Sequence, residues 1–119
     1  MYSHIRYDTI LYMVRGFFES HGFTRKMNKI NEPDLSLCIE KLLLGNPKAG
    51  KVIPGLIGIR KIRISSEGKG KRGGYRVIYI DLPRCGRIYL LAIYGKEEKI
   101  DLTSDDKRVL RKLVEEIRR

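Results

Sequence analysis

The chain has 119 residues, of which 42% are hydrophobic and 33% charged, a composition typical of a single globular domain with a modest core. Its formal net charge of +11 is high for this length and points to a polyanionic partner: nucleic acid, an anionic membrane surface or an acidic protein. The apolar run over residues 10–18 is too short to span a bilayer and contains Arg15, which argues against membrane insertion.

The N-terminal segment and the cysteines set the expected domain limits and compartment. Residues 1–13 mix charged and apolar side chains without a clear period, and Met13 is an alternative start. We therefore expect a loosely attached extension, followed by one domain over residues 14–119. Cys38 and Cys85 have no metal-ligand spacing and no secretory signal before them, which favours a reduced, cytoplasmic location.

The first half of the domain is predicted to contain one strand and two helices. The aromatic stretch at residues 14–20 favours a strand, and a short helix that begins at Thr24 or Gly22 is expected to run to Ile30. Pro33 and the acids beside it are typical of a helix start, because proline is tolerated in the first turn and acids suit the helix dipole. The helix over residues 33–44 then has leucine and isoleucine at helical spacing and ends at Gly45.

The second half is predicted to form three antiparallel strands and a helix. Strand patterns occur at residues 59–64 and 75–82, and residues 87–94 are apolar on both faces, as in a central, covered strand. A final helix begins at Thr103 or Ser104, where a hydroxyl can cap it and two aspartates follow. The order β-α-α-β-β-β-α predicts a compact α+β domain.

Cations are concentrated in the predicted hairpin at residues 59–76, which carries one acid, Glu67. Its cations are Arg60, Lys61, Arg63, Lys69, Lys71, Arg72 and Arg76. Because a hairpin is ordered, those on its strands should have fixed relative positions. Antiparallel pairing would place Arg76 between Arg63 and the region of Tyr94 and Lys96.

A cluster of this kind could bind a phosphodiester or cleave one. Arginine offers bidentate donation and preorganised charge stabilisation, and lysine offers a mobile point charge. Cleavage of RNA by its own 2′-hydroxyl also needs a base and an acid. A lysine among other cations has a lowered pKa that suits a base, and a tyrosine can donate a proton or stack on a nucleobase. Composition alone favours binding over cleavage.

The usual metal and nucleotide motifs are missing from the sequence. It has no HExxH pattern, no paired cysteines and no acid cluster. The stretch GKGKRGG lacks the spacing of a phosphate-binding loop and does not lead into a helix. We therefore expect neither a metal nor a cofactor.

Three motifs occur in order over residues 46–103: NP…AG…VIPG…G.RK.R, then GKGKRGGYRVIY, then YLL.IYGK.E. Together they resemble the RelE/HigB superfamily of bacterial toxins from type II toxin–antitoxin systems, and are most similar to its HigB-like branch. FESHGFTRKMNKI matches the first strand and helix of the family more weakly. The resemblance implies a small antiparallel sheet packed by helices on one face, with an open, basic face that receives mRNA in the ribosomal A site.

The resemblance also implies an activity and partners. These toxins are metal-independent ribonucleases that act on ribosome-bound mRNA and inhibit translation. A cognate antitoxin, here expected to be a HigA-like helix-turn-helix protein, silences the toxin in a tight complex. Operator DNA would be contacted only through that complex, and no membrane would be involved.

Carried over position by position, the resemblance assigns catalytic roles to strand cations. Lys61, Arg63 and Arg76 match the basic strand residues implicated in cleavage, and Lys96 matches the basic position after the last strand. The remaining cations of the hairpin are expected to bind RNA: Arg60, Lys69, Lys71 and Arg72.

Some positions depart from the family pattern. Glu97 stands where RelE has an arginine, and no equivalent of its late catalytic tyrosine occurs near Leu102. We assign the tyrosine role to Tyr94 instead. Leu56 and Ile57 stand where relatives have smaller residues before a glycine.

Three functions are therefore in competition. The leading one is a ribosome-dependent mRNA endonuclease in which Arg76 stabilises the transition state and Lys61 or Lys96 acts as acid or base. A ParE-like inhibitor of DNA gyrase would keep the fold without nuclease activity, and the set of Lys61, Arg63 and Arg76 speaks against it. A plain RNA-binding module is the third.

Overall fold

The computed structural model describes residues 4–6, 15–65, 74–99 and 101–118, which form three helices and a six-stranded sheet. No helix in these ranges is both long and apolar enough to cross a bilayer. The α+β class is confirmed. The elements are β1 (His4–Arg6), β2 (Arg15–Glu19), α1 (His21–Ile30), α2 (Leu35–Gly45), β3 (Lys51–Val52), β4 (Ile59–Ile64), β5 (Tyr75–Leu82), β6 (Arg87–Gly95) and α3 (Ser104–Arg118), with a short 3-10 turn (Pro83–Cys85) between β5 and β6.

The sheet has the order β1-β2-β6-β5-β4-β3, so the strand that was predicted to be central, β6, lies inside it. β4, β5 and β6 pair antiparallel in chain order, as expected. β2, however, runs parallel to β6, which makes the sheet mixed rather than antiparallel. The chain leaves β2 through two helices before it re-enters the sheet, and such a long crossover permits parallel pairing.

Two strands lie outside the predicted set. β3 has only two residues, which are too few to show a strand period. β1 falls in the predicted extension, and its three residues pair antiparallel with β2. This part of residues 1–13 is therefore joined to the sheet, whereas the proposed domain boundary after residue 13 stays a prediction.

Helices cover both faces of the sheet rather than one. On the first face, α1 and α2 contribute Phe23, Leu35, Ile39 and Leu43 to a core that includes Phe17, Val77, Tyr79, Ile88 and Leu90. On the second face, α3 contributes Leu110 and Val114 to a core with Ile59, Ile78, Ile80 and Leu91. The second face needs a cover because the central strands are apolar on both sides.

Side-chain caps fix where two of the helices begin. Thr103 Oγ1 accepts a hydrogen bond from the Asp106 amide at 3.0 Å, and Asp106 Oδ2 accepts one from the Thr103 amide at 2.9 Å. This reciprocal pair caps α3 at Thr103, one of the two predicted starts. Ser20 Oγ accepts from the Phe23 amide at 3.0 Å and donates to the Leu91 carbonyl at 2.8 Å, which ties the start of α1 to β6.

A buried tyrosine anchors the loop between α2 and β3. The hydroxyl of Tyr79 accepts from the Gly50 amide at 2.9 Å and donates to the Pro47 carbonyl at 2.8 Å. A Cβ atom at Gly50 would lie 2.9 Å from the Lys61 carbonyl oxygen and 2.9 Å from Cε1 of Tyr79. The loop therefore crosses β4 and β5 at a distance that only glycine allows.

We predict that Gly50→Ala destabilises the fold by about 1–3 kcal/mol, because one of the close contacts is backbone that cannot rotate away. Urea denaturation followed by circular dichroism measures the loss. The matched control is Gly45→Ala at the end of α2, where an added Cβ meets nothing within 4 Å. That change should be neutral or stabilise by up to about 1 kcal/mol. Equal stability of both variants would contradict the close approach at Gly50.

Candidate functional site

The strand register brings the predicted basic residues to one place. Arg63 of β4 pairs with Arg76 of β5, and Arg76 pairs on its other side with Tyr94 of β6. Because side chains alternate along a strand, the burial of Val77 and Tyr79 against α1 and α2 turns Arg76 to the α3 face. The arrangement predicted from antiparallel pairing is thus present.

The same alternation orients β4. Ile62 and Ile64 are buried on the α1 and α2 side, so Lys61 and Arg63 lie on the α3 face with Arg76. An ideal Cβ built on Gly74 would lie 3.2 Å from Nε of Arg63 and 3.6 Å from Nη1 of Arg76. The two guanidinium groups therefore flank a single narrow space.

These side chains line a cavity of about 320 Å³, which we call the basic cavity. Its described lining residues are Ala49, Lys51, Lys61, Ile62, Arg63 and Arg76, none of them acidic. Lys51 was not among the predicted site residues. It arrives through the pairing of β3 with β4, which sets Lys51 opposite Lys61. Four cations around one cavity are suited to an anion with several oxygens, such as a phosphodiester.

Two buried polar atoms on paired residues lack hydrogen-bond partners among the described residues: Nη1 of Arg76 and the hydroxyl of Tyr94. An unsatisfied buried donor costs about 1–3 kcal/mol, so structures keep few of them without a reason. Burial raises the pKa of Tyr94, the charges of Asp101 and Asp106 raise it further, and Arg76 lowers it. Tyr94 therefore carries its proton at neutral pH.

An acid that the sequence did not reveal, Asp101, lies at this site. Its Oδ1 is 3.7 Å from Nζ of Lys61. The hydrogen bond from the Leu102 amide, followed by the charge of Lys61, lowers the pKa of Asp101. The carboxylate is therefore ionised at neutral pH and partly neutralises the nearest lysine. No pattern could have found it, because the contact joins β4 to the segment before α3.

Tyr94 itself lines a neighbouring cleft rather than the basic cavity. This cleft, of about 260 Å³, lies between β6 and α3 and also has Lys99 and Asp106 in its wall. Nζ of Lys99 lies 5.6 Å from the centroid of the Tyr94 ring and pairs with Asp106 at 2.9 Å. The ring of Tyr94 therefore has a cation–π contact with Lys99 on one of its faces.

Other predicted residues lie elsewhere. Arg60 is on the α1 and α2 side of β4, where its Nη1 donates to the Gly50 carbonyl at 2.7 Å and to the Lys48 carbonyl at 3.3 Å. Its observed contacts stabilise the loop, and RNA binding by Arg60 stays a prediction. Lys96 lies in the exposed turn after β6 and lines neither the basic cavity nor the cleft. The tip residues Lys69, Lys71 and Arg72 lie outside the described residues.

Glu98, in the turn after β6, is paired with a helix residue and does not line the basic cavity. Glu98 accepts from the Gly95 amide at 2.8 Å and forms an ion pair with Lys26 of α1. These two contacts lower its pKa. Elsewhere in the described ranges, no three histidine, cysteine or acidic side chains come together in a way that could hold a metal ion.

Comparison with known proteins identifies the fold. No known protein family matches the chain. Among solved structures, it is similar to a double arginine-to-alanine mutant of the Escherichia coli toxin RelE in the free state, with a TM-score of 0.52 and 18% sequence identity. The match covers 71% of this chain and 85% of that chain. The chain has the RelE fold. At this identity the likeness concerns the fold alone, and the HigB-like branch stays a prediction.

We predict that Asp101→Asn raises the affinity of the site for a polyanion about two- to fivefold, since an exposed ion pair is weak and an arriving phosphate competes with it. Fluorescence anisotropy with a short single-stranded 2′-deoxy oligonucleotide measures the change. Asp105→Asn, at the exposed start of α3, is the matched control because it removes the same charge. If both variants gained equally, the effect would be one of net charge and the role of Asp101 at Lys61 would be refuted.

Proposed function

We propose that this chain is the toxin of a type II toxin–antitoxin pair and cleaves mRNA on the ribosome without a metal. Three findings support this: the fold that it shares with a protein named a toxin, the resemblance of residues 46–103 to the RelE/HigB superfamily, and the basic cavity. The observation that carries the proposal is the cluster of four cations around the basic cavity. Arg76 is one of them, and its buried Nη1 has no hydrogen-bond partner among the described residues.

The proposed reaction uses the 2′-hydroxyl of the RNA as nucleophile. The 2′-oxygen attacks the adjacent phosphorus while its proton passes to a base. The bond from phosphorus to the 5′-oxygen breaks, and that oxygen takes a proton from an acid. The products are a 2′,3′-cyclic phosphate and a 5′-hydroxyl. Arg76, supported by Arg63, stabilises the extra negative charge that builds up on the phosphorane.

Proton transfer falls to the groups around this pair of arginines. We assign proton donation to the 5′-oxygen to Tyr94, the residue that pairs with Arg76 across β5 and β6. Lys61, which lines the cavity, and Lys96, which follows β6, are the two candidates for the remaining role. Asp101 bears on that choice because its Oδ1 lies 3.7 Å from Nζ of Lys61 and would compete with the RNA phosphate for this lysine.

The proposed partners follow from the resemblance to the RelE/HigB superfamily. A cognate antitoxin would cover the basic face, and we expect a HigA-like protein with a helix-turn-helix domain. Operator DNA would be bound only through the complex of the two. A short helix-turn-helix reading frame directly beside this gene would support the pairing.

We predict that Arg76→Ala lowers the cleavage rate by about 10²- to 10³-fold, the loss seen when one charge-stabilising donor is removed from an active site. Mapping of mRNA 5′ ends after induction, together with the rate of protein synthesis, measures the effect in cells. Arg108→Ala is the matched control, since this exposed arginine on α3 carries the same charge and should be dispensable.

The result separates the competing functions. A folded Arg76→Ala protein that still arrests translation fully would refute the assignment. Salt-dependent RNA binding by the wild type without cleavage or toxicity would favour an RNA-binding module. DNA damage in place of cut transcripts would favour a gyrase inhibitor.

A further inference from the structure

A stacked group of three side chains lies at the start of β6, at the opposite end of the strand from Tyr94. The parallel register sets Phe18 of β2 beside Tyr89 of β6. Their ring centroids are 5.1 Å apart, with 27° between the ring planes. Cζ of Arg87 lies 5.3 Å from the centroid of Phe18, and its Nη1 donates to the Tyr89 hydroxyl at 3.2 Å. We call Phe18, Arg87 and Tyr89 the aromatic platform.

The aromatic platform does not form part of the main core. Phe17, Ile88 and Leu90 are buried against α1 and α2, so strand alternation turns Phe18 and Tyr89 to the α3 face. Tyr89 lies at the margin of the α3 core, and Phe18 belongs to neither core. Both rings are only half-buried and Arg87 is exposed, so the stack reaches solvent.

We propose that the aromatic platform binds an unpaired nucleobase of the RNA substrate by stacking. This rests on the proposed function in one respect, because it takes single-stranded RNA as the ligand. Every nucleobase has a flat π face, and proteins bind it with aromatic rings and with the plane of an arginine guanidinium. The aromatic platform offers both, already ordered against one another, which lowers the entropy cost of binding.

Charge also favours RNA over an acidic peptide. Arg87 is part of the stack, and Arg84 lies exposed in the adjoining 3-10 turn, so a phosphate beside the bound base would meet a cation. The aspartate and glutamate side chains of an acidic peptide could pair with the same cations, but they have no flat ring to match those of Phe18 and Tyr89. The pairing of ring and cation is typical of single-strand binding surfaces.

The position of the aromatic platform sets its kinetic role. Tyr89 and Tyr94 are about 16 Å apart along β6, at roughly 3.3 Å per residue. A base bound at the platform is therefore not the one at the cleaved bond. The platform should lower KM through added binding and leave kcat unchanged.

The test compares two non-cleavable 2′-O-methyl oligonucleotides of about six nucleotides, a typical site size for single strands. One carries all of its bases, and the other is abasic at every position. Tyr89→Leu removes the ring but keeps an apolar side chain, and it should weaken binding of the base-bearing strand about five- to a hundredfold. Binding of the abasic strand should not change. Tyr89→Phe, which keeps the ring, should preserve the preference for bases.

A second pair of variants does not depend on a half-buried residue. Arg87→Ala and Arg84→Ala each remove one exposed charge, so both should lower the affinity for the abasic strand equally. Only Arg87→Ala should cause a further loss with the base-bearing strand. Quenching of 2-aminopurine fluorescence in that strand reports stacking directly. The quenching should decrease in Arg87→Ala and remain at the wild-type level in Arg84→Ala.

The outcomes are separable from those for cleavage. The aromatic platform would be refuted if Tyr89→Leu bound both strands as tightly as Tyr89→Phe, and Arg87→Ala as tightly as Arg84→Ala. This holds even if Arg76→Ala abolished cleavage. If these variants instead lost affinity for the antitoxin alone, the surface would belong to a protein partner. Base-dependent binding through Tyr89 in a wild type that cuts no RNA would uphold the aromatic platform and refute the nuclease.

Discussion

The register of β5 is the constraint on which the rest of the structure depends. Tyr79 is fully buried, and its hydroxyl holds the loop that leads into β3. Because Val77 and Tyr79 are buried in the core with α1 and α2, the alternation of side chains along β5 places Arg76 on the α3 face. A slip of one residue would move Arg76 to the α1 and α2 face and Tyr79 to the α3 face, which would disrupt both cores and the site. The position of the arginine is therefore enforced by apolar burial rather than by contacts of its own.

The site works against the stability of the fold that holds it. The four cations that line one cavity repel each other, and a buried guanidinium nitrogen lacks a partner among the described residues. Asp101 offsets part of the repulsion, but only at Lys61 and from an exposed position. An anion that bound in the basic cavity would offset the repulsion between its cations and so stabilise the folded state by mass action. Repulsion between neighbouring charges and an unsatisfied buried donor are locally unfavourable, and such exceptions are typical of sites that bind a ligand.

The predictable parts of the structure are those with a local pattern. β4 and α3 have regular periods, β5 and β6 are continuous apolar runs, and the bounds of all four agree with the sequence to within one residue. The parallel pairing of β2 and the two-residue β3 depend on contacts between distant segments, which carry no local period. Lys51 and Asp101 were missed for the same reason. Arg60 is the instructive case: the alternation that places Lys61 and Arg63 on one face places Arg60 on the other.

Net charge and charge placement therefore carry different information. The formal charge of +11 gives long-range attraction to any polyanion, which is sensitive to salt and indifferent to sequence. Selectivity needs cations whose positions are fixed, as for Arg76 by the β5 register and for Arg87 by the stack on Phe18. Arg60 adds equally to the total, yet its described contacts are with backbone carbonyls. The face on which a cation lies, more than the number of cations, separates a general polyanion binder from a site that can position one phosphate.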